Sequence, residues 1–241
     1  MRVTVAFTPE LLPPGLMLGD ECVVVIDVLR ASTTIVAALL AGAREVIPVD
    51  EVQDAVESAG RLGKERTLLA GERNGIRING FDLGNSPLEY TPEVVAGKTI
   101  LMTTTNGTRA FRAASPAHSV VCGTLINAAG IAEFCEEQDR NVTLLCAGTN
   151  GRFSMDDAIA AGGIVNALRG RGMTFQTDDS TETAYELFDL RRTDLRAALE
   201  ATGHGKRLME LGFGDDIAFC SQLSVPSSPV PKMIGSSLRP S

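Results

Sequence analysis

The chain has 241 residues, 44% of them hydrophobic and 22% charged, an ordinary globular composition long enough for one domain with one continuous core over 1–241. No apolar stretch approaches the ~20 residues that a membrane-spanning helix needs, and a formal charge of −8 argues against nucleic acid or an anionic membrane as partner, because both are bound through clustered Lys and Arg. An anionic ligand would have to meet positive charge gathered locally, from loop arginines and a metal ion.

The N-terminal MRVTVAFTPELLPPG opens with a strand-length apolar run at 3–7 ahead of a proline turn at Pro13 and Pro14. It lacks the apolar stretch and cleavage site of a signal peptide, so a cytoplasmic protein is expected. CVVVID (22–27) reads as the next strand, followed by helical RASTTIVAALLAG (30–42) with Gly42 as its stop signal. EVIPVD (45–50), TLLAG (67–71), TILMTT (99–104), SVVCG (119–123) and VTLLCAG (142–148) continue the strands. Between and after them lie helical patterns at 51–64, 106–115, 127–138 and 154–170, and Thr91-Pro92 places an N-cap and first-turn proline ahead of EVVA. Beyond about residue 172 strand signals fade into a helical segment, and the proline- and serine-rich 226–241 reads as a loosely held tail. Continuous apolar runs mark strands covered by helices on both faces, which predicts a three-layer α/β/α fold with a mainly parallel sheet.

Five cysteines, Cys22, Cys122, Cys135, Cys146 and Cys220, include no C-x-x-C pair, and three of them sit in apolar runs; buried reduced thiols are expected. P-loop, dinucleotide-binding and GxSxG signatures are absent. Two histidines, His118 and His204, give a Ser-His-Asp hydrolase little to work with; both read as structural, capping or surface residues.

In a sheet of this kind ligands bind at the carboxyl ends of the strands. The loops there are DVLRAST (27–33), GERNGIRINGFDLGNSP (71–87), TTTNGTR (103–109) and AGTNGRFSMDD (147–157). Each carries small hydroxyl residues and at least one arginine (Arg30, Arg73, Arg77, Arg109 and Arg152), and the three later loops carry Asn-Gly turns. Guanidinium forks match phosphate, carboxylate and sulfonate oxygens, so these loops read as an anion-binding set, although any one arginine near a helix start can equally be solvated or salt-bridged. Thr-Asn-Gly occurs twice, at Thr105 and Thr149, each time between an apolar strand and an Arg-bearing helix start.

Asp27, Glu72, Asp82, Asp156 and Asp157 occupy the same loops. Carboxylates beside an anion site repel the ligand unless a divalent cation lies between them, which implies Mg2+. For Asp156 and Asp157 simple helix capping competes, since Ser154-x-x-Asp157 resembles a capping box. Asp27 terminates an apolar run, where a charge has little structural reason to be. A phosphoryl-accepting Asp27 would ordinarily need a second aspartate two residues on, where Leu29 stands, so attack by a metal-activated water is the expected mechanism.

The segments VIDVLRASTTI, GERNG, GFDLGNSP, TTTNGT and CAGTNGRFSMDDAIAAG together resemble the 2-phosphosulfolactate phosphatase family over most of the chain. The resemblance implies an α/β fold and Mg2+-dependent hydrolysis of 2-phospho-3-sulfolactate, a small anionic phosphorylated acid, to 3-sulfolactate and phosphate, a step toward coenzyme M. Carried over by motif, it places Asp27, Arg30, Ser32 and Thr33 in a first site loop and Glu72, Arg73, Asp82, Asn85 and Ser86 in a second. Thr105, Asn106 and Gly107, with Thr149, Asn150, Gly151 and Arg152, complete the pocket. Asp27, Arg30 and Glu72 are the expected catalytic residues; Asp27, Glu72, Asp82 and Asp157 are the expected metal ligands. An isomerase or lyase on a phosphorylated acid, or a non-catalytic metabolite-binding protein, are the alternatives that absence of phosphate release would favour. A two-fold homodimer is the expected assembly.

Overall fold

A computed structural model describes residues 1–12 and 18–241, so the expected proline turn at Pro13 and Pro14 lies outside the described residues. The strands are β1 (Val3–Ala6), β2 (Glu21–Ile26), β3 (Glu45–Pro48), β4 (Thr67–Arg73), β5 (Ile76–Arg77), β6 (Thr99–Thr103), β7 (Ser119–Gly123), β8 (Asn141–Cys146), β9 (Pro231–Ile234) and β10 (Ser237–Pro240). The helices are α1 (Ala31–Leu40), α2 (Val52–Leu62), α3 (Pro92–Val95), α4 (Gly107–Ala114), α5 (Ala128–Gln138), α6 (Met155–Gly170), α7 (Asp179–Arg191), α8 (Leu195–Glu200), α9 (Gly203–Glu210) and α10 (Gly214–Cys220). No helix among the described residues is long and apolar enough to cross a membrane.

The strands form one α/β sheet in the order β1-β8-β2-β7-β9-β10-β3-β6-β4-β5. Two parallel sets, β1-β8-β2-β7 and β3-β6-β4, are joined through the antiparallel β9–β10 hairpin. This corrects the expectation of a loosely held tail at 226–241. Lys232 pairs with Val121 of β7, Leu238 pairs with Val46 of β3, and Leu238 is fully buried. Proline and serine are common in tails, but here they flank two four-residue strands that fill the middle of the sheet.

Every residue of β2 is buried, as its near-continuous apolar sequence predicts for a strand covered on both faces. Cys22, Val24 and Ile26 point into a core shared with α5, α6 and α7, while Val23 and Val25 point into a second core with α1 and α4. That second core also takes Val46, Ile100 and Met102 from the other strand set, so α1 and α4 lie against both sets. The far face of β6 packs through Leu101 on Ala55 and Ala59 of α2. This position explains α1: a helix apolar on every side, buried from Ala31 to Leu39, belongs in an interior. All five cysteines are buried and form no disulfide.

Three successive antiparallel pairings separate β7 from β3, so the two parallel sets run in opposite ladder directions. Sheet twist brings their carboxyl ends back together: at about 20–25° per neighbouring pair, the rotation accumulated between β2 and β6 exceeds a right angle. The loops that follow β2, β4, β6 and β8 consequently meet at one cleft.

Candidate active site

Asp27 follows β2 directly, and the turn after it is closed by its own polar groups. The Asp27 N–H donates to Ser32 Oγ at 2.9 Å, the Ser32 N–H returns to the Asp27 carbonyl at 2.8 Å, and the Ala31 N–H donates to Asp27 Oδ1 at 3.3 Å. Thr33 Oγ1 donates to the Val28 carbonyl at 2.8 Å and lies 2.9 Å from Thr124 Oγ1. Ser32 and Thr33, expected to touch substrate, are fully buried and shape this turn instead. On the other side, Gly107 opens α4 against Asp27: a Cβ there would stand 3.1 Å from Asp27 Oδ2 and from Ala31 Cβ, so glycine lets the carboxylate approach the helix start.

Glu72 ends β4 and is held from three directions. Its Oε1 accepts from Thr105 N–H and Oγ1, both at 3.0 Å, and its Oε2 accepts from Gly75 N–H at 2.7 Å. The Gly75 contact depends on the Asn74-Gly75 turn between β4 and β5, whose φ angles of 56° and 84° suit these residue types. Arg30 is buried. Its Nη1 donates to Asp216 Oδ2 at 2.6 Å, its Nη2 donates to the Gly75 carbonyl at 2.9 Å, and its guanidinium lies 4.1 Å from the Phe213 ring centroid. Ser86 Oγ donates to Asp216 Oδ1 at 2.7 Å, so Ser86 supports Arg30 from behind. The two Thr-Asn-Gly turns touch, the Asn150 N–H donating to Asn106 Oδ1 at 3.0 Å.

These groups open onto a cleft of about 450 Å³. Asp27, Arg30, Glu72, Asn85, Thr105, Asn106, Thr149 and Asn150 line it, joined by Thr104, Gly203, His204 and Arg207. Several expected site residues stand elsewhere. Asp82 is exposed and accepts from Leu69 N–H at 2.8 Å, because the long 71–87 loop folds back along β4. Asp157 lies behind the cleft, where Val28 N–H (2.9 Å) and Gly148 N–H (3.0 Å) occupy its two oxygens. Arg73 turns to the Glu72 and Asp50 carbonyls and Thr103 Oγ1. Arg77 donates to the Asp82 carbonyl, Arg109 pairs with Glu10 beside Gly151, and Arg152 is exposed in an adjoining hollow. Of the five loop arginines only Arg30 lines the cleft. The four-carboxylate metal set is corrected accordingly: among the described residues no three His, Cys, Asp or Glu side chains gather to hold a metal.

Charge crowding marks what remains. Burial, then the Asp156 and Glu72 charges, push the Asp27 carboxyl from 3.8 up to about 7, against the Ala31 N–H and Arg30. Burial and the neighbouring Asp156 and Asp27 hold Asp157 well above the ordinary carboxylate range, and burial raises Asp156 while His204 opposes it. Asn85 Oδ1 is buried without a hydrogen-bond partner among the described residues. Asp27, Glu72 and this amide oxygen are hard donors of the kind Mg2+ takes, an ion content with one or two carboxylates plus waters and substrate oxygens.

Three residues of the site were not assigned a part in it from sequence. His204 and Arg207 sit one turn apart on α9, a spacing that puts them on one helix face. Asp216 had no local signal, because its partner Arg30 lies 186 positions away.

Comparison with known proteins bears on the same residues. The profile of the 2-phosphosulpholactate phosphatase family matches residues 6–233. A protein of Caldanaerobacter subterraneus subsp. tengcongensis called probable 2-phosphosulfolactate phosphatase is 45% identical over 203 residues, covering 84% of each chain. Proteins of the same name from Clostridium acetobutylicum (39% identical, 86% of this chain and 87% of the relative) and Symbiobacterium thermophilum (42%, 88% and 91%) are similarly related.

Proposed function

The chain belongs to the 2-phosphosulpholactate phosphatase family, and from that membership and the cleft we propose that it hydrolyses 2-phospho-3-sulfolactate, or a close relative among small phosphorylated acids, with the help of Mg2+. The observation that carries the reading is the pairing of Asp27 and Glu72 on one cleft wall beside the buried Arg30 guanidinium and the unpartnered Asn85 oxygen. Two carboxylates alone would repel a phosphoester; with a cation between them they hold one.

Asp27, Glu72 and Asn85 would hold the ion, which when bound supplies positive charge to the phosphoryl oxygens. Arg30 adds a second, fixed charge to the same group, oriented by Asp216 before substrate arrives, so little reorganisation accompanies charge development at phosphorus. Hydrolysis forms a bond from a water oxygen to phosphorus, breaks the bond from phosphorus to the ester oxygen and moves one proton from water to that oxygen. Without the ion, burial and the Asp156 and Glu72 charges hold the Asp27 carboxyl up at about 7, so a cation bound there would also relieve the charge crowding on this wall. Glu72, with both oxygens engaged by N–H and O–H donors, is the fixed negative wall. The cytoplasm is the proposed compartment, supported by five free, buried thiols.

Phosphate release from 2-phosphosulfolactate, followed colorimetrically with Mg2+ and with EDTA, tests the reading. Release that EDTA abolishes is expected. Turnover unaffected by EDTA would remove the metal, and silence on this substrate and on a panel of phosphorylated hydroxy acids would remove the phosphatase.

A further inference from the structure

Helix α9 lines the cleft from its first residue to its C-cap. Its first residues, Gly203 and His204, line both the cleft and the adjoining hollow that holds Asp156, and its C-cap residue Leu211 reaches the Asn74-Gly75 turn, where a Cβ on Gly75 would stand 2.9 Å from Leu211 Cδ1. His204, Arg207, Leu208 and Leu211 follow the spacing of one helical face, and all four line the cleft. Leu208 is buried to 1% exposure and anchors that face, while Lys206, Met209 and Glu210 are exposed and do not line it.

Charge is divided between the walls. The strand-end wall carries Asp27 and Glu72; α9 carries Arg207 at the centre of its inner face. Arg207 has only a loose ion pair, to Glu210 at 3.4 Å, with both side chains more than half exposed. Such a pair contributes little and leaves the guanidinium free to turn toward a ligand. That a ligand completes the cleft is indicated separately by Asn85, 6% exposed, whose amide oxygen has no partner among the described residues.

We propose that Arg207, with His204 one turn before it, recognises the sulfonate of the substrate, so that α9 rather than the strand-end loops sets the preference for a sulfonated phosphoester. The inference rests on the phosphatase reading for its substrate, but its test separates the two. A phosphoryl group held between Asp27, Glu72 and Arg30 leaves the carboxylate and the sulfonate to the rest of the cleft lining, where Arg207 is the one further arginine among the described residues. In a chain of net charge −8, a local cation is needed to receive the sulfonate.

The experiment compares wild type with Arg207→Ala and with the outward-facing control Lys206→Ala, using 2-phosphosulfolactate and 2-phospholactate, which lacks the sulfonate. Wild type is expected to favour the sulfonated ester. Arg207→Ala should lose about tenfold to a hundredfold in kcat/KM on that ester, the range for one charge-assisted hydrogen bond, and keep its rate on phospholactate; Lys206→Ala should change neither. Equal loss on both esters would assign Arg207 to the phosphoryl group or the carboxylate, which the two share, and overturn the proposal, as would a preference that survives the substitution. Calorimetry with 3-sulfolactate and with inorganic phosphate reads the same contact without turnover: Arg207→Ala should weaken sulfolactate binding by a similar factor and spare phosphate. If wild type hydrolyses neither these esters nor any other phosphorylated hydroxy acid, the phosphatase reading fails, and calorimetry, with lactate as the carboxylate-only control, still decides the role of Arg207. Unchanged sulfolactate affinity, or none in wild type, would overturn it.

Discussion

Asp27 shows how a single residue can set chemistry against stability. Its carboxyl titrates near 7 in the fold and near 3.8 when unperturbed, so between about pH 4 and pH 7 the native state keeps a proton that the unfolded chain has released. Stability therefore falls as pH rises through that window and is level above it. Asparagine has the same shape and can still accept from the Ala31 N–H, but it carries no charge. In metal-free buffer Asp27→Asn should be more stable than wild type at pH 8, by at most a few kcal/mol at about 1.4 kcal/mol per pKa unit, and equal to it at pH 4; with Mg2+ restored it should release no phosphate. Thermal melts at the two pH values check this; a variant that melts lower at pH 8 would show the charge is compensated in the fold. That Asp27, Glu72 and Arg30 would line the cleft was legible because each stands at or just beyond the end of an apolar strand. Ser32, Thr33 and Ser86 look equally chemical in sequence, yet their hydroxyls close the Asp27 turn or hold Asp216. Residue type alone does not say whether a polar group faces a ligand or its own backbone.

The seven strand-length apolar runs before residue 150 all became strands, and the five longer helical patterns there and at 154–170 all became helices, because each spans enough residues to show its period. Helix α10 escaped notice: seven residues, GDDIAFC, show too few turns. Between α6 and α7 the fit is tight. A Cβ on Gly162 would stand 2.0 Å from the Ala184 carbonyl and 2.7 Å from Phe188 Cβ, and a backbone oxygen cannot turn away as a flexible side chain can. Gly162→Ala should therefore lower stability by about 1–3 kcal/mol through overpacking, read as a shift of the urea midpoint, with KM unchanged in the folded fraction. Wild-type stability would mean that the two helices can separate at little cost.

At the scale of the whole molecule the β9–β10 hairpin decides the architecture, since it alone connects β7 to β3 in the sheet order. Removing residues 231–241 should leave two facing strand edges unpaired and strip Leu238 from its core. The truncated chain is expected to aggregate or to lose its cooperative melt, as seen by size-exclusion chromatography and circular dichroism. A melt like that of the full chain would show that α1 and α4 suffice to hold the two strand sets together. By itself the sequence determined the alternation of strands and helices, the two-sided burial of the sheet and the loops from which chemistry would come, because apolar periodicity and turn residues are properties of neighbouring positions. Only the tertiary structure decided that the last strands lie mid-sheet, that Asp82 and Asp157 leave the site, and that α9 and Asp216 enter it. Those outcomes depend on partners far apart in the chain, and periodicity tells a side chain which face to take without telling it what will stand opposite.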